Sequence, residues 1–139
     1  MKIHIVREGQ ESIENYNKVT VSNNSVDLSD ISDNECAFIL AGDTLDNFSQ
    51  ENIPNFIQSL TKKVRMGGSL VVGGTDIRLF SKSVINGLIP ENEASSIIGL
   101  VQSMTMIANT IDIIKSLEMQ VESTQINGYH YEIKAKRGQ

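Results

Sequence analysis

The chain has no tryptophan, one cysteine, two prolines and two histidines among its 139 residues, and aromatic side chains make up only 5% of it. A single cysteine excludes an intramolecular disulfide and a cysteine-rich metal site, and Cys36, placed inside an apolar run, is read as a small core residue. His4 and His130 each lack a second histidine at ligand spacing, so no zinc site is expected. Positive charge is also short, with 12 basic against 17 acidic residues and a net charge of -5. Such a chain has no overall electrostatic footprint for a polyanion, and nucleic acid is not an expected partner. No apolar run approaches the ~18 residues that span a bilayer, and the chain opens on the strand-like Lys2-Ile3-His4-Ile5-Val6. A soluble, cytoplasmic protein without a membrane partner is expected.

What the chain does have is apolar content. At 40% hydrophobic residues it can build one core, and a single domain over residues 1–139 is expected. The most informative stretch runs from 36 to 76. An apolar run, Cys36-Ala37-Phe38-Ile39-Leu40-Ala41, is followed by the acidic Gly42-Asp43-Thr44-Leu45-Asp46-Asn47-Phe48. Then Ile53, Phe56, Ile57, Leu60 and Val64 fall at spacings of three and four, which places them on one helical face. Pro54 is tolerated only near a helix start, so the cap is Ser49 or Asn52. Met66-Gly67-Gly68 leads to a second apolar run, Ser69-Leu70-Val71-Val72-Gly73-Gly74, closed by Thr75-Asp76. Strand, helix and strand in this order make a right-handed parallel crossover, which puts a ligand cleft near Ala41 to Asp46 and Gly73 to Asp76.

Elsewhere, Lys2 to Val6 and Lys18 to Ser22 read as strands, with Asn23-Asn24 as the stop of the second. Arg7 to Asn17 is too short for a crossover helix with its loops. Arg78 to Asn92, with Gly87 and Pro90, reads as an irregular segment that covers the cleft. Glu93 to Met106 and Asn109 to Leu117 read as helices, and Gln120 to Lys136 as a hairpin turning at Asn127-Gly128, a dipeptide that favours a type I′ turn.

The order of a short first strand, a second strand, the acidic approach Asp27-Leu28-Ser29-Asp30-Ile31-Ser32-Asp33-Asn34-Glu35, the crossover, and the final Asn127-Gly128-Tyr129-His130-Tyr131 hairpin resembles the class I S-adenosylmethionine-dependent methyltransferases. The resemblance is densest from Asp27 to Asp76. It implies an α/β fold with a Rossmann-like, methyltransferase-type, mostly parallel sheet flanked by helices and finished by a C-terminal antiparallel hairpin. It also implies a cofactor site, and there the chain departs from the family. The glycine-rich turn after the first strand is matched by Val6-Arg7-Glu8-Gly9, with one glycine and two long charged side chains, and the acid that would hold the ribose is matched by Ser22. The adenine position is matched by Asp30 and Ile31, and the strand end by Ala41 and Gly42. Weak or absent binding of S-adenosylmethionine follows as the expectation.

Asp43 and Asp46 are the candidate catalytic acids, as general base and orienting group, although acids at a helix start are also favoured by its dipole alone. Two functions remain open: a non-catalytic binding or assembly subunit on a methyltransferase scaffold, or an active methyltransferase with an atypical pocket. The apolar side chains from Ile97 to Ile114, with Leu79, Phe80 and the loop to Pro90, point to association with another copy or another protein.

Overall fold

The computed structural model describes residues 1–138. Seven strands form one sheet: β1 Lys2–Arg7, β2 Asn17–Ser22, β3 Ser25–Val26, β4 Cys36–Ala41, β5 Val64–Thr75, β6 Met119–Asn127 and β7 His130–Arg137. Their order is β3-β2-β1-β4-β5-β7-β6. β1 pairs in parallel with β2 and β4, and β4 in parallel with β5. β7 enters antiparallel between β5 and β6. The expected neighbours β4 and β5 are thus adjacent and parallel, joined by the helix α1 Ile53–Lys63. β3 is a two-residue strand antiparallel to β2, formed because Asn24 takes the left-handed region at φ 60 and reverses the chain.

Helix α1 buries Ile53, Phe56, Ile57 and Leu60, the three-and-four spacing seen in the sequence, and Pro54 sits in its first turn where no N–H is needed. Those side chains meet Ile3, Ile5, Ile39, Leu70, Val72, Ile133 and Ala135 in one core, to which the helix α4 Ile107–Ser116 adds Ile114. All these strand residues share one parity, so α1 and α4 lie on the same face of the sheet. Among the described residues no helix covers the other face. Only the segment between β1 and β2 reaches it, where the Ile13 N–H donates to His4 Nδ1 (3.1 Å) and Tyr16 stands edge-on to His4 and Phe38.

Three sequence expectations need correction. Arg78 to Asn92 is not irregular: α2 spans Ile77–Ile85, because the Asp76 carboxylate caps it by accepting the Leu79 N–H (2.9 Å), and only the turn around Gly87 and Pro90 interrupts the helical run. The helix expected to reach Met106 stops early. α3 is Glu91–Leu100, after which the chain becomes extended and Thr105 pairs in parallel with Asp76. The final hairpin turns at Gly128-Tyr129, between the paired Asn127 and His130, rather than at Asn127-Gly128. Gly128 has φ 64 at the first central position, the type II′ pattern, so the glycine was the correct signal with the turn placed one residue early.

Phe56→Ala or Leu60→Ala is expected to destabilise the protein by about 2–5 kcal/mol, as large-to-small changes in a packed core do. Gln58→Ala and Lys62→Ala, at exposed positions, should stay within about 0.5 kcal/mol. A urea titration giving equal shifts at all four sites would show that the buried face of α1 is assigned wrongly.

Candidate functional site

The carboxyl ends of β4 and β5 carry the densest polar chemistry. β4 ends at Ala41, whose carbonyl accepts the Thr44 hydroxyl (2.6 Å), and Asp43 takes a left-handed conformation at φ 59 to start a short 3-10 turn, Thr44–Asn47. This turn drives Asp46 inward. Its carboxylate is 6% exposed and accepts the Thr75 N–H through Oδ1 and the Thr75 hydroxyl through Oδ2, both at 2.8 Å. Gly74 makes this approach possible, since a Cβ there would lie 3.0 Å from Asp46 Oδ1 and from Leu45 Cβ. Burial pushes the Asp46 carboxyl above its ordinary value of 3.8, against the opposing pull of the two Thr75 hydrogen bonds.

One residue further on, Asp76 does comparable work. Besides capping α2, it accepts the Ile107 N–H through Oδ2 (2.9 Å) at the start of α4, so one buried carboxylate holds two helix N-termini. The adjoining hydroxyls form a closed set: the Tyr131 hydroxyl lies 2.5 Å from Thr105 Oγ1 and 2.7 Å from Thr110 Oγ1. Burial raises the Tyr131 phenol's pKa, keeping it protonated and able to donate.

Asp43, by contrast, faces outward. It lies 3.4 Å from His130 Nδ1, an electrostatic contact rather than a formed hydrogen bond, and that nitrogen is buried without a hydrogen-bond partner. The pair borders a cleft of about 430 Å³ lined also by Gln125, Asn127 and Glu132. The two acids singled out in the sequence therefore part ways, Asp46 inward to Thr75 and Asp43 outward to His130.

The residues matched to the cofactor site do not converge. Gly9 stands in an exposed turn at φ 83 that closes on itself, with the Gln10 N–H donating to the Arg7 carbonyl (3.0 Å) and the Arg7 N–H to Gln10 Oε1 (3.1 Å). Ser22 Oγ lies 2.7 Å from Ser25 Oγ across the β2–β3 turn. Ala41 is fully buried, and a Cβ on Gly42 would meet the Glu132 carboxylate at 3.4 Å. Asp30 and Ile31 lie at the opposite, amino edge of the parallel strands. There they border a groove with Met1, Asn17 and Lys18, and the Lys63 ammonium donates to the Ile31 carbonyl (2.8 Å). The physical reason is β3, which carries the chain back to that edge before β4 begins.

Sequence reading missed the residues that cross the carboxyl edge. The Asn24 N–H donates to the Asn47 carbonyl (2.7 Å), and Asn24 Oδ1 accepts from the Ser49 N–H (2.7 Å) and Asn52 Nδ2 (3.1 Å). Because β1 lies between β2 and β4 in the sheet, this bridge from the turn after β2 to the segment after β4 passes over the end of β1. The pair Asn23-Asn24 had signalled only a strand stop; nothing in its spacing reveals its distant partners.

No family model and no curated protein matches this chain. Solved structures do match its fold. A SAM-dependent methyltransferase from Archaeoglobus fulgidus aligns over 96% of this chain and 75% of its own, with TM-score 0.63 and 11% identity. Magnesium protoporphyrin IX methyltransferase from Synechocystis PCC 6803, with bound SAH, aligns over 87% of this chain with TM-score 0.60 and 14% identity. The chain spans 51% of the length of that enzyme. A chain in a complex formed by the Haloferax volcanii Trm112 methyltransferase activator is similar as well, at TM-score 0.60 and 6% identity over 93% of this chain. The protein has the fold of the class I S-adenosylmethionine-dependent methyltransferases. No helix among the described residues is long and apolar enough to cross a membrane, and no group of three or more acidic, histidine or cysteine side chains among them is placed to hold a metal ion.

Because the folded-state pKa of Asp46 is raised, its contribution favours the folded protein most below the ordinary carboxylate value and weakens as pH rises through the raised one. Asp46→Asn removes that titration. Denaturant midpoints measured between about pH 7 and about pH 4 should show the unmodified protein gaining on the variant as pH falls. Midpoints that move in parallel would mean that burial does not govern this carboxylate.

Proposed function

We propose that the protein is a non-catalytic binding or assembly subunit on a methyltransferase scaffold, with a cofactor site that binds S-adenosylmethionine weakly or not at all. The observation that carries this reading is the bridge from Asn24 to Asn47, Ser49 and Asn52, which occupies the carboxyl edge above β1 with protein-to-protein hydrogen bonds. In an open α/β sheet the crevice at that edge, where strand order reverses, is where a ligand is received. The remaining residues support the same conclusion. Arg7 and Glu8 stand where close backbone approach calls for glycine, and Ser22 offers a hydroxyl already engaged by Ser25 in place of a carboxylate for a ribose. Asp46, a buried acid at the edge, has both carboxylate oxygens bonded to Thr75. These residues do not fit the cofactor.

A second reading, an active methyltransferase with an atypical pocket, is favoured by one observation: the Asp43–His130 contact beside an open cleft at the strand ends, where a proton-transferring pair would belong. Methyl transfer by in-line displacement depends mainly on positioning, so a modest acid–base apparatus would suffice.

Titration calorimetry with S-adenosylmethionine and S-adenosylhomocysteine separates the two. Neither ligand is expected to reach a dissociation constant of about 1 μM, roughly -8 kcal/mol. Binding that tight, accompanied by the thermal stabilisation that mass action requires, would overturn the first reading in favour of the second.

A further inference from the structure

Among the described residues, the only cover on the sheet face opposite α1 and α4 is the segment from residue 8 to 16, and its backbone is tied to that face at one point. Gly9 at φ 83 and Asn15 at φ 71 bound the segment, both in the left-handed region where a chain changes direction. Most of its hydrogen bonds are local. Gln10 bonds to Arg7 through its own N–H and its side chain, and the Tyr16 N–H donates to the Ile13 carbonyl (3.2 Å). The Ile13 N–H alone reaches the face, donating to His4 Nδ1 (3.1 Å). Packing adds little to this tie. Ile13 is 49% exposed, and Tyr16 meets His4 and Phe38 edge-on, with ring centroids 6.3 and 6.2 Å apart and Lys2 Nζ 5.9 Å from the Tyr16 ring.

The imidazole is both the anchor and the weak point. A backbone N–H can only donate, so Nδ1 is bare while the segment is closed and the ring's single proton sits on Nε2. A second proton, on Nδ1, removes the acceptor and sets one N–H against another. Nothing around the ring compensates for that. His4 is 9% exposed, and its neighbours on the face are Lys2 of β1, Lys18 of β2 and the uncharged Leu40 of β4. From the segment itself come Glu11 and Glu14, both exposed and neither in an ion pair with His4. Glu132, Lys134 and Lys136 stand on β7, the third strand along.

We propose that His4 is a proton-operated latch: neutral, it holds residues 8–16 over itself and Phe38; protonated, it releases them and uncovers that part of the sheet. Burial holds the His4 pKa below its ordinary value of 6.5. The closed state thus takes up the proton less readily than the open one, so closure is strongest above about 6.5 and is lost as pH falls below it. The latch makes no use of the cofactor edge, so its failure and that of the assembly reading are separate.

Nuclear magnetic resonance on the full chain tests this between about pH 7.5 and about pH 5, the range in which histidine gains its charge. The His4 ring should titrate there, and the Ile13 amide should lose protection against hydrogen exchange, taken relative to its intrinsic rate, along the same curve. The loss should approach about tenfold per pH unit, the limit for one coupled proton, while amides of the β1–β4 ladder stay protected. His4→Asn sets Oδ1 where Nδ1 stands along the side chain, an acceptor with no proton to gain, and should keep the segment closed throughout. His4→Phe keeps a ring without an acceptor and should leave the segment loose throughout. If His4→Phe fails to fold, His4→Asn decides alone. An Ile13 amide that stays protected while His4 titrates, a His4→Asn variant that loosens in acid as the unmodified protein does, or a His4 ring that stays neutral over the whole range with the segment closed would each overturn the proposal.

Discussion

Two buried carboxylates at the end of β5 hold the carboxyl edge of this sheet together. Asp46 reaches from the turn after β4 to the backbone and side chain of Thr75, and Asp76 reaches from β5 to the first turns of α2 and α4. Neither has a cationic partner within salt-bridge distance; each is satisfied by hydrogen-bond donors. A buried acid held in this way costs the fold more if one of its donors is lost than it contributes while complete. The consequence for function is direct. In an α/β sheet the carboxyl edge is where catalytic acids are looked for, yet here its two buried acids join turn to strand and strand to helix, and of Asp43, Asp46 and Asp76 only the first faces the cleft beside His130.

The same economy of polar groups explains the asparagine bridge. A turn after β2 and an irregular segment after β4 both expose backbone donors and acceptors that need partners when they approach each other. Asn24 satisfies two donors with one side-chain oxygen and lends its own N–H to Asn47. A small molecule received at that edge would have to replace these bonds with its own before it gained any affinity. An open cleft lies on the β6–β7 side, where Asp43 and His130 meet.

How much of this could be read from the chain depends on whether the signal was local. β4 and the buried face of α1 were plain, because an apolar run and a three-and-four spacing are set by the residues themselves. Helix α2 was missed although its start carries an Asp cap, because Gly87 and Pro90 weighed more heavily than Asp76 three residues before Leu79. The site was less legible than the fold. Asp43 and Asp46 look alike in sequence, three residues apart after a strand, and only the left-handed turn at Asp43 sends one outward and the other to Thr75. Asp30 and Ile31 match the cofactor edge through the family resemblance alone, and no signal in their own residues shows that the two-residue β3 carries the chain back to the other edge.

The uneven coverage of the sheet follows from chain economy. A crossover helix with its loops needs a dozen or more residues, and the nine between β1 and β2 supply only a covering segment. With β3 folded back on β2, the next connection also runs without a helix. All the helix-forming sequence follows β4, so the helices that pack on strands gather on one face, and the surplus pair, α2 and α3, projects at the carboxyl edge around its own small cluster of Phe80, Ile89 and Ala94. A sheet open on one side and a helical pair with unburied apolar shoulders are therefore two results of one cause, the short first half of the chain.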